Sequence, residues 1–250
     1  MTDLSSSCVD AGQQVRANLA ALQARIEAAC RRAGRAPDSV RLLPVSKTVP
    51  LAAIRAAYDA GYRWFGENRV QEAEQKAEAL RELAIDWCII GHLQSNKARH
   101  VARFAAELHS LDNLRVAREL DRRLQAEGRA LRVLVQVNTS FEASKSGLAP
   151  ADVPAFLAEL AGLQTLQVKG FMTLAAQSDD VERVAGCFKL LRTIQEQARQ
   201  DGPAAMCFDE LSMGMSGDFE LAIAHGATIV RLGQAVFGAR PPATPRAPAV

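Results

Sequence analysis

The stretch RLLPVSKTVPLAAIRAAYDAGYRWFG, residues 41–66, decides the fold class of this chain. It begins with a short apolar run at 41–46, continues at helical spacing over 51–59, and ends with a second apolar run at 62–66. Short apolar runs bounded by turn signals are typical of strands, and strands that alternate with helices indicate a parallel sheet. We therefore interpret the stretch as a strand, a helix and a second strand.

The same alternation continues along the chain. Six further candidate strands are DWCIIG (86–91), ELHSL (107–111), LRVLVQVN (131–138), LQVKGFM (166–172), FDELSM (208–213) and TIVRLG (228–233). Helical patterns cover 15–32, 51–59, 70–83, 97–104, 114–126, 181–200 and 219–224. Eight parallel strands with right-handed crossovers close a barrel, so we expect an α/β fold, a single (β/α)8 TIM barrel with an additional N-terminal helix. An open doubly wound sheet is the alternative, although no G-x-G-x-x-G follows the first strand.

The composition is that of one folded domain. The 250 residues are 48% hydrophobic, and 30 Lys and Arg residues stand against 28 Asp and Glu residues. This balance offers no sign of nucleic-acid binding, and a small neutral or anionic ligand fits it as well. We expect a flexible leader at 1–14, the barrel at 15–240 and a disordered Pro-rich tail at 241–250.

The cysteines and the apolar runs indicate the cellular compartment in which we expect the protein. Five scattered cysteines without C-x-x-C spacing suit a reducing compartment better than a disulfide framework. No apolar run approaches the roughly 20 residues of a membrane helix, and the N-terminus lacks the features of a secretory signal. We expect a cytoplasmic protein that does not enter the membrane and that is a monomer or a weak dimer.

Lys47 is the first candidate site residue. In a barrel of this kind the active site lies at the carboxyl ends of the strands, and Lys47 directly follows the run at 41–46. Partial burial and neighbouring cations there would lower the pKa of its amine toward nucleophilic strength. Lys47 is therefore a candidate imine-forming lysine. A solvated lysine at a strand end is the alternative from this position alone.

The loops after the seventh and eighth runs are candidate phosphate sites. SMGMSGD (212–218) supplies small hydroxyls and glycines before a helix that starts at Phe219, so backbone N–H groups and the helix dipole can converge on an anion. In RLGQAVFG (231–238), Gly233 lets the backbone approach a ligand. This pair of loops commonly binds phosphate in such barrels, while ordinary turn chemistry with an N-cap from Ser216 is the alternative.

Arg231 ends the eighth run, where its guanidinium would enter the barrel mouth as a permanent donor. A guanidinium that faces a pyridine nitrogen leaves this nitrogen unprotonated, which weakens the ring as an electron sink. A rim arginine that binds phosphate or water is the alternative.

Two further loops carry polar side chains that could wall a pocket. They are GHLQSNK (91–97), with His92, and VNTSFEASKSGL (137–148), with the equally ambiguous Lys145. We interpret His92 as a structural hydrogen-bonding residue more than as an acid or base. The remaining histidines show no metal-ligand spacing, so no metal site is predicted.

Six motifs together resemble those of a known family. They are VSKT (45–48), FGENRVQE (65–72), GHLQSNK (91–97), SKSG (144–147), LSMGMSGD (211–218) and VRLGQAVFG (230–238). With these motifs in this order, the chain resembles the pyridoxal phosphate homeostasis protein family. The resemblance implies a fold type III barrel similar to the N-terminal domain of alanine racemase, which holds pyridoxal 5′-phosphate as a Schiff base on Lys47.

The resemblance also implies the other cofactor-binding residues. The full set is Lys47, Asn68, Met172, Ser212, Met215, Ser216, Arg231, Gly233 and Gln234. Arg231 would face the pyridine nitrogen. Asn68 and Met172 would lie against the cofactor. The phosphate would be held by Ser212, Ser216, Gly233 and Gln234. The family is regarded as acting in vitamin B6 homeostasis without demonstrated turnover, so no catalytic residue is implied.

Three functions are compatible with these residues. The first is a carrier that holds pyridoxal phosphate and delivers it to apo enzymes, the second is an amino-acid racemase, and the third is a Schiff-base aldolase that acts on a sugar phosphate through Lys47. Racemisation needs an acid or base on each face of the substrate. Fold type III racemases supply one as a tyrosine from a second domain, whereas Tyr58 and Tyr62 lie early in the barrel. We expect a carrier rather than an enzyme.

Overall fold

The computed structural model describes residues 4–238, with side chains from residue 11 onward. Eight parallel strands lie in one sheet, with neighbours in the order β1-β8-β7-β6-β5-β4-β3-β2. The strands are β1 Arg41–Pro44, β2 Trp64–Glu67, β3 Asp86–Ile89, β4 Glu107–Leu111, β5 Leu131–Gln136, β6 Leu166–Met172, β7 Glu210–Ser212 and β8 Ile229–Leu232. A parallel bridge between Val45 and Gly66 joins β1 to β2. The predicted barrel is therefore confirmed.

Helices cover the outside of the barrel. They are α1 Leu4–Arg32, α2 Leu51–Asp59, α3 Val70–Ala79, α4 Ala98–Phe104, α5 Leu114–Glu127, α6 Val153–Leu160, α7 Val181–Asp201, α8 Phe219–Ala224 and α9 Gln234–Phe237. The sequence pattern did not predict α6, whose segment contains Pro154. This proline lies in the first turn of α6, where a missing N–H costs no hydrogen bond.

α1 packs against the helices that follow β1 and that flank β8. Its buried face consists of Val15, Leu19, Leu22 and Ile26, at the predicted spacing, and it contacts α2, α8 and α9. The helix begins at Leu4, so residues 4–14 are helical although a flexible leader was expected there. The apolar face from Val15 onward docks on neighbouring helices, and each further residue added to a formed helix gains a backbone hydrogen bond, so the helix extends before Val15. The expected tail at 241–250 lies outside the described residues.

Three layers of side chains fill the barrel, because alternate residues of each strand point inward. The middle layer is the apolar cluster of Leu43, Cys88, Leu134, Met172 and Ile229. Toward the amino ends of the strands lies a charged layer formed by Arg41, Glu107, Arg132 and Glu210. Toward the carboxyl ends lie the buried side chains of Ser212 and Arg231. The interior is therefore polar at both ends and apolar between them.

Two further expectations concern cysteines and membranes. Cys30, Cys88 and Cys187 are buried free thiols, and Cys207 is a half-buried free thiol. Within residues 4–238, no helix combines the length and the apolar character that a membrane crossing needs.

Candidate functional site

The nine predicted cofactor-binding residues lie at the carboxyl ends of strands or in the loops that follow. Lys47 comes after β1, Asn68 after β2, Met172 at the end of β6, Ser212 at the end of β7, Met215 and Ser216 in the next loop, Arg231 within β8, and Gly233 and Gln234 directly after β8. Since the strands are parallel in a closed barrel, these ends share one face. Side-chain contact joins Arg231 to Ser212, while Met172 lies in the apolar layer beneath the mouth.

An ion-pair cluster in which all residues but the half-buried Glu72 are buried lies beside Lys47, between β2 and α3. Nζ of Lys76 donates to the backbone oxygen of Ser46 at 2.6 Å and to Oε1 of both Glu67 and Glu72 at 2.7 Å. Oγ of Ser46 also donates to Oε1 of Glu67 at 2.6 Å. We call Ser46, Glu67, Glu72 and Lys76 the Lys76 cluster. It ties the end of β1 to β2 and α3.

The Lys76 cluster holds the backbone on both sides of Lys47. Ser46 precedes this residue, and the N–H of Thr48 donates to Oε1 of Glu72 at 2.5 Å. Thr48 has a φ of 62°, a left-handed conformation that β-branched residues rarely adopt. Such a conformation persists only where surrounding contacts impose it. The half-buried side chain of Lys47 therefore leaves the backbone from a fixed position.

The two carboxyls of the Lys76 cluster have opposite pKa shifts. Burial raises the pKa of Glu67, against the opposing hydrogen bonds from Lys76 and Ser46. Among the described residues, Oε2 of Glu67 is buried without a hydrogen-bond partner. Burial also acts to raise the pKa of Glu72, but hydrogen bonds from Lys76 and the Thr48 N–H outweigh it and lower that pKa. Lys76 thus acts to lower the pKa of both carboxyls and stabilises their ionised forms.

Arg231 is held on the other side of the mouth. Its side chain is buried, Nη1 donates to Oγ of Ser212 at 2.7 Å, and Nη2 donates to the backbone oxygen of Thr173 at 2.8 Å. Burial lowers the pKa of Arg231 to about 10, so the guanidinium remains charged at neutral pH. Two anchored nitrogens fix the plane of a guanidinium, so this group is a preorganised donor.

A chain of hydrogen bonds continues from this guanidinium through the barrel. Oγ of Ser212 lies 3.0 Å from Nδ1 of His109, and Nε2 of His109 lies 2.7 Å from Oε2 of Glu107. Glu107 also accepts from Arg41 at 2.8 Å and from Arg132 at 3.1 Å. We call Arg231, Ser212, His109 and Glu107 the interior chain. It connects the polar mouth with the charged layer below.

The charges of the interior chain follow from these contacts. Burial acts to raise the pKa of Glu107, but His109 and Arg41 outweigh it and hold that pKa well below its usual range. Burial lowers the pKa of His109, against the opposing effect of Glu107. The imidazole is therefore neutral beside an ionised carboxylate. A cation is disfavoured among Cys88, Glu107 and His109, whose ligand atoms lie within 4.8 Å of one another, because arginines already bind this carboxylate.

The loop after β7 is closed by its own hydrogen bonds. The N–H of Met215 donates to Oδ1 of Asp218 at 2.6 Å, and the N–H of Asp218 returns to the oxygen of Met215 at 3.1 Å. Gly214 has a φ of 95°, and a Cβ there would lie 2.7 Å from the Cβ of Ala222. The N–H of Arg231 donates to the oxygen of Gly214 at 3.0 Å, so this loop lies next to the one that begins at β8.

The two polar loops lie at the same face. Nδ1 of His92 is 3.8 Å from Oδ2 of Asp112, which accepts the N–H of Gly147 at 2.9 Å. Nζ of Lys145 donates to Glu142 at 3.1 Å and to the backbone oxygen of Ala175 at 2.8 Å. Loops after several strands thus form a polar wall. Within this wall, His92 and Lys145 already have protein partners.

The sequence interpretation missed three residues of this site. His109 and Glu107 were not singled out, although their spacing in β4 puts both on one face of a strand. Lys76 was interpreted as part of a helical pattern, and its burial against β2 is a tertiary contact. Ser212 was predicted to hold phosphate. Its hydroxyl is engaged with Arg231 and His109, and its role as a phosphate ligand stays a prediction.

Comparisons with known proteins agree with this architecture. The chain matches the family model described as alanine racemase, N-terminal domain, over residues 17–241. A pyridoxal phosphate homeostasis protein of Pseudomonas aeruginosa is 44% identical over 223 residues, which cover 89% of this chain and 94% of that protein. PipY of Synechococcus elongatus PCC7942, solved with PLP bound, has a TM-score of 0.79 and 39% identity, covering 90% of this chain and 100% of PipY.

A more distant likeness concerns the fold alone. Alanine racemase from Streptomyces lavendulae is 22% identical, with a TM-score of 0.69, and the match covers 92% of this chain and 58% of the racemase. The matched part agrees with the barrel described above. The family model matches most of the chain, and the Pseudomonas aeruginosa relative is 44% identical over nearly the full length of both proteins. The chain therefore belongs to the family of the alanine racemase N-terminal domain and, within it, to the pyridoxal phosphate homeostasis proteins.

Proposed function

We propose that this chain binds pyridoxal 5′-phosphate at the barrel mouth and acts in its homeostasis, with Lys47 as the attachment residue. The observation that carries the proposal is the donor set on one face: a half-buried amine at Lys47, a buried guanidinium at Arg231, and two adjacent glycine-containing loops. The name of the Pseudomonas aeruginosa relative and the PLP bound to PipY support the same ligand.

The donor set fits the chemistry of this cofactor. The amine of Lys47 can condense with an aldehyde, so that a C=N bond forms and the aldehyde oxygen leaves as water. Arg231 can donate a hydrogen bond to a ring nitrogen. The loops at 212–218 and 231–238 precede α8 and α9, and the first N–H groups of a helix are available to phosphate oxygens. Each part of the cofactor therefore has a candidate partner.

The residues around the mouth favour holding the cofactor over catalysis. Pyridoxal phosphate supplies an electron sink to the enzymes that use it. A charged arginine does not protonate the ring nitrogen, so the residue that would face it weakens this sink. Tyr58, in the last turn of α2, and Tyr62, just before β2, lie toward the amino ends of the strands. Neither tyrosine is therefore placed to act as an acid or base at the mouth.

The partners and the location belong to the same proposal. We infer that the recipients of the cofactor are apo pyridoxal phosphate enzymes, and that the chain works in the cytoplasm as a monomer or a weak dimer. The free thiols at Cys30, Cys88, Cys187 and Cys207 fit a reducing compartment. When the loaded protein is mixed with an apo enzyme, activation should outpace the spontaneous release of cofactor measured with a trap. Equal rates would argue against delivery.

Reduction with borohydride tests the attachment directly. We expect the purified protein to take up pyridoxal phosphate, to turn yellow, and to lose this absorbance on reduction as the C=N bond becomes a stable C–N bond. Mass spectrometry of the peptides should then place the added mass on Lys47. A protein that stays colourless and takes up no pyridoxal phosphate would overturn the proposal and would favour an aldolase that uses Lys47 on a sugar phosphate.

A further inference from the structure

The hydroxyl of Ser212 lies between two partners that determine its direction. Arg231 has only donors, so Oγ of Ser212 must accept the hydrogen bond from Nη1 at 2.7 Å. The hydroxyl proton is then available for Nδ1 of His109, 3.0 Å away. This arrangement requires Nδ1 to be an acceptor, which holds only when His109 is neutral with its proton on Nε2.

Glu107 imposes that form of His109. Its carboxylate is ionised because Arg41 and Arg132 bind it, and it lies 2.7 Å from Nε2 of His109. An ionised carboxylate accepts only, so the imidazole proton must be on Nε2. Burial keeps the ring neutral, so Nδ1 carries no proton. The direction of each hydrogen bond in the interior chain thus follows from charges in the layer below.

We propose that His109 and Glu107 are positioning residues for the ring nitrogen of the cofactor, acting through Ser212 on Arg231. Without Nδ1 as an acceptor, the Ser212 hydroxyl loses the partner that fixes its rotation, so the lone pair that accepts from Nη1 is no longer held in place. Arg231 then keeps only the carbonyl of Thr173 as a described partner and can rotate. This inference rests on the proposed function, in which Arg231 donates to the ring nitrogen.

A merely structural role for His109 predicts a different result. As a buried polar group it would stabilise the barrel whichever partner it served, and each replacement would lower stability without a specific effect on the ligand site. The position of the Arg231 guanidinium therefore has to be measured separately from stability. Two replacements of His109 separate its two hydrogen bonds, and they form a matched pair.

The pair is His109→Asn and His109→Gln. The amide of asparagine lies close to the position of Nδ1, so His109→Asn can still accept from Ser212 while it loses Glu107. The longer glutamine places its amide near the position of Nε2, so His109→Gln can still donate to Glu107 while it loses Ser212. We expect His109→Asn to keep the affinity for pyridoxal phosphate within about twofold, and His109→Gln to weaken it about tenfold, which corresponds to one hydrogen bond to a charged group.

The spectrum of the bound cofactor gives a second measurement. Absorbance of the Schiff base depends on the hydrogen bond at the ring nitrogen, so its maximum should shift in His109→Gln and in Ser212→Ala but not in His109→Asn. The double variant of His109→Gln with Ser212→Ala should bind no more weakly than Ser212→Ala alone, because that substitution already removes the hydroxyl through which His109 acts. Equal affinities and spectra for His109→Asn and His109→Gln would overturn the inference, whatever their stabilities.

The wild-type protein provides a test that no folding defect can obscure. ¹⁵N NMR of the histidine side chains, without cofactor, should show His109 neutral with its proton on Nε2 near neutral pH. A proton on Nδ1 would contradict the inference. Cofactor uptake and labelling separate the two proposals. A wild-type protein that takes up no pyridoxal phosphate overturns both. Labelling at Lys47 together with an unaffected His109→Gln variant overturns only this one.

Discussion

Lys47→Ala is expected to abolish the Schiff base while the protein still binds pyridoxal phosphate reversibly. The substitution removes the amine that forms the C=N bond, whereas Arg231 and the loops at 212–218 and 231–238 keep their hydrogen bonds to the rest of the barrel. Borohydride should then attach no cofactor to the protein. The remaining binding should be at least about tenfold weaker, because a covalent contribution worth more than about 1.4 kcal/mol is lost.

Lys145→Ala is the matched control for that variant. Lys145 is another lysine at the mouth, and its Nζ is bonded to Glu142 and to the backbone oxygen of Ala175. We expect it to keep the absorbance of the Schiff base and the label on Lys47. If Lys47→Ala retains the absorbance instead and the label moves to Lys145, the attachment site has been assigned to the wrong lysine.

Lys76→Met is expected to lower the free energy of unfolding by about 3–5 kcal/mol, the usual effect of removing one partner of a buried ion pair. Methionine fills a similar space but leaves Glu67, which is fully buried, without its cation. It also removes the hydrogen bond to the Ser46 oxygen, so the backbone on the amino side of Lys47 loses a support. Urea unfolding measures the stability, and the rate of Schiff base formation measures the effect on Lys47.

Lys189→Met is the control for this prediction. Nζ of Lys189 lies 3.7 Å from Glu182 with both side chains largely exposed, and such pairs contribute at most about 1 kcal/mol. A second variant, Lys76→Met with Glu67→Gln, removes the unpaired charge and should recover part of the loss. Equal stabilities for Lys76→Met and Lys189→Met would mean that the Lys76 cluster does not hold this part of the barrel.

The pH dependence of Lys76→Met has a definite sign. Burial already raises the pKa of Glu67 in the folded protein, and loss of the opposing hydrogen bond from Lys76 raises it further. A carboxyl whose pKa is higher in the folded state binds its proton more tightly there, so stability falls as the pH rises from its unfolded pKa through its folded pKa. The free energy of unfolding that Lys76→Met loses relative to the wild type should therefore increase as the pH rises. The variant that also carries Glu67→Gln should lack this dependence.

The sequence predicted the residues at the barrel mouth but not the buried residues of the interior chain beneath them. Lys47, Arg231 and the two glycine-containing loops could be singled out because each follows an apolar run, and parallel strands bring their carboxyl ends to one face. His109 could not be assigned in the same way. Its role depends on Ser212, which is distant in the sequence, and on the charge that two arginines impose on Glu107.

Local patterns by themselves predicted the eight strands and the end of the sheet at which the site lies, because strand periodicity and connection order depend on neighbouring residues. The closure of the sheet into a barrel, rather than an open doubly wound sheet, was shown by the pairing of β1 with both β8 and β2. Local patterns also placed Lys47 at that end. Only the tertiary structure decided that α1 starts at Leu4, that α6 forms despite Pro154, and that the Lys76 cluster holds the backbone around Lys47. The physical reason is that burial and long-range ion pairs set charge, pKa and proton position, and these partners meet only when the barrel closes.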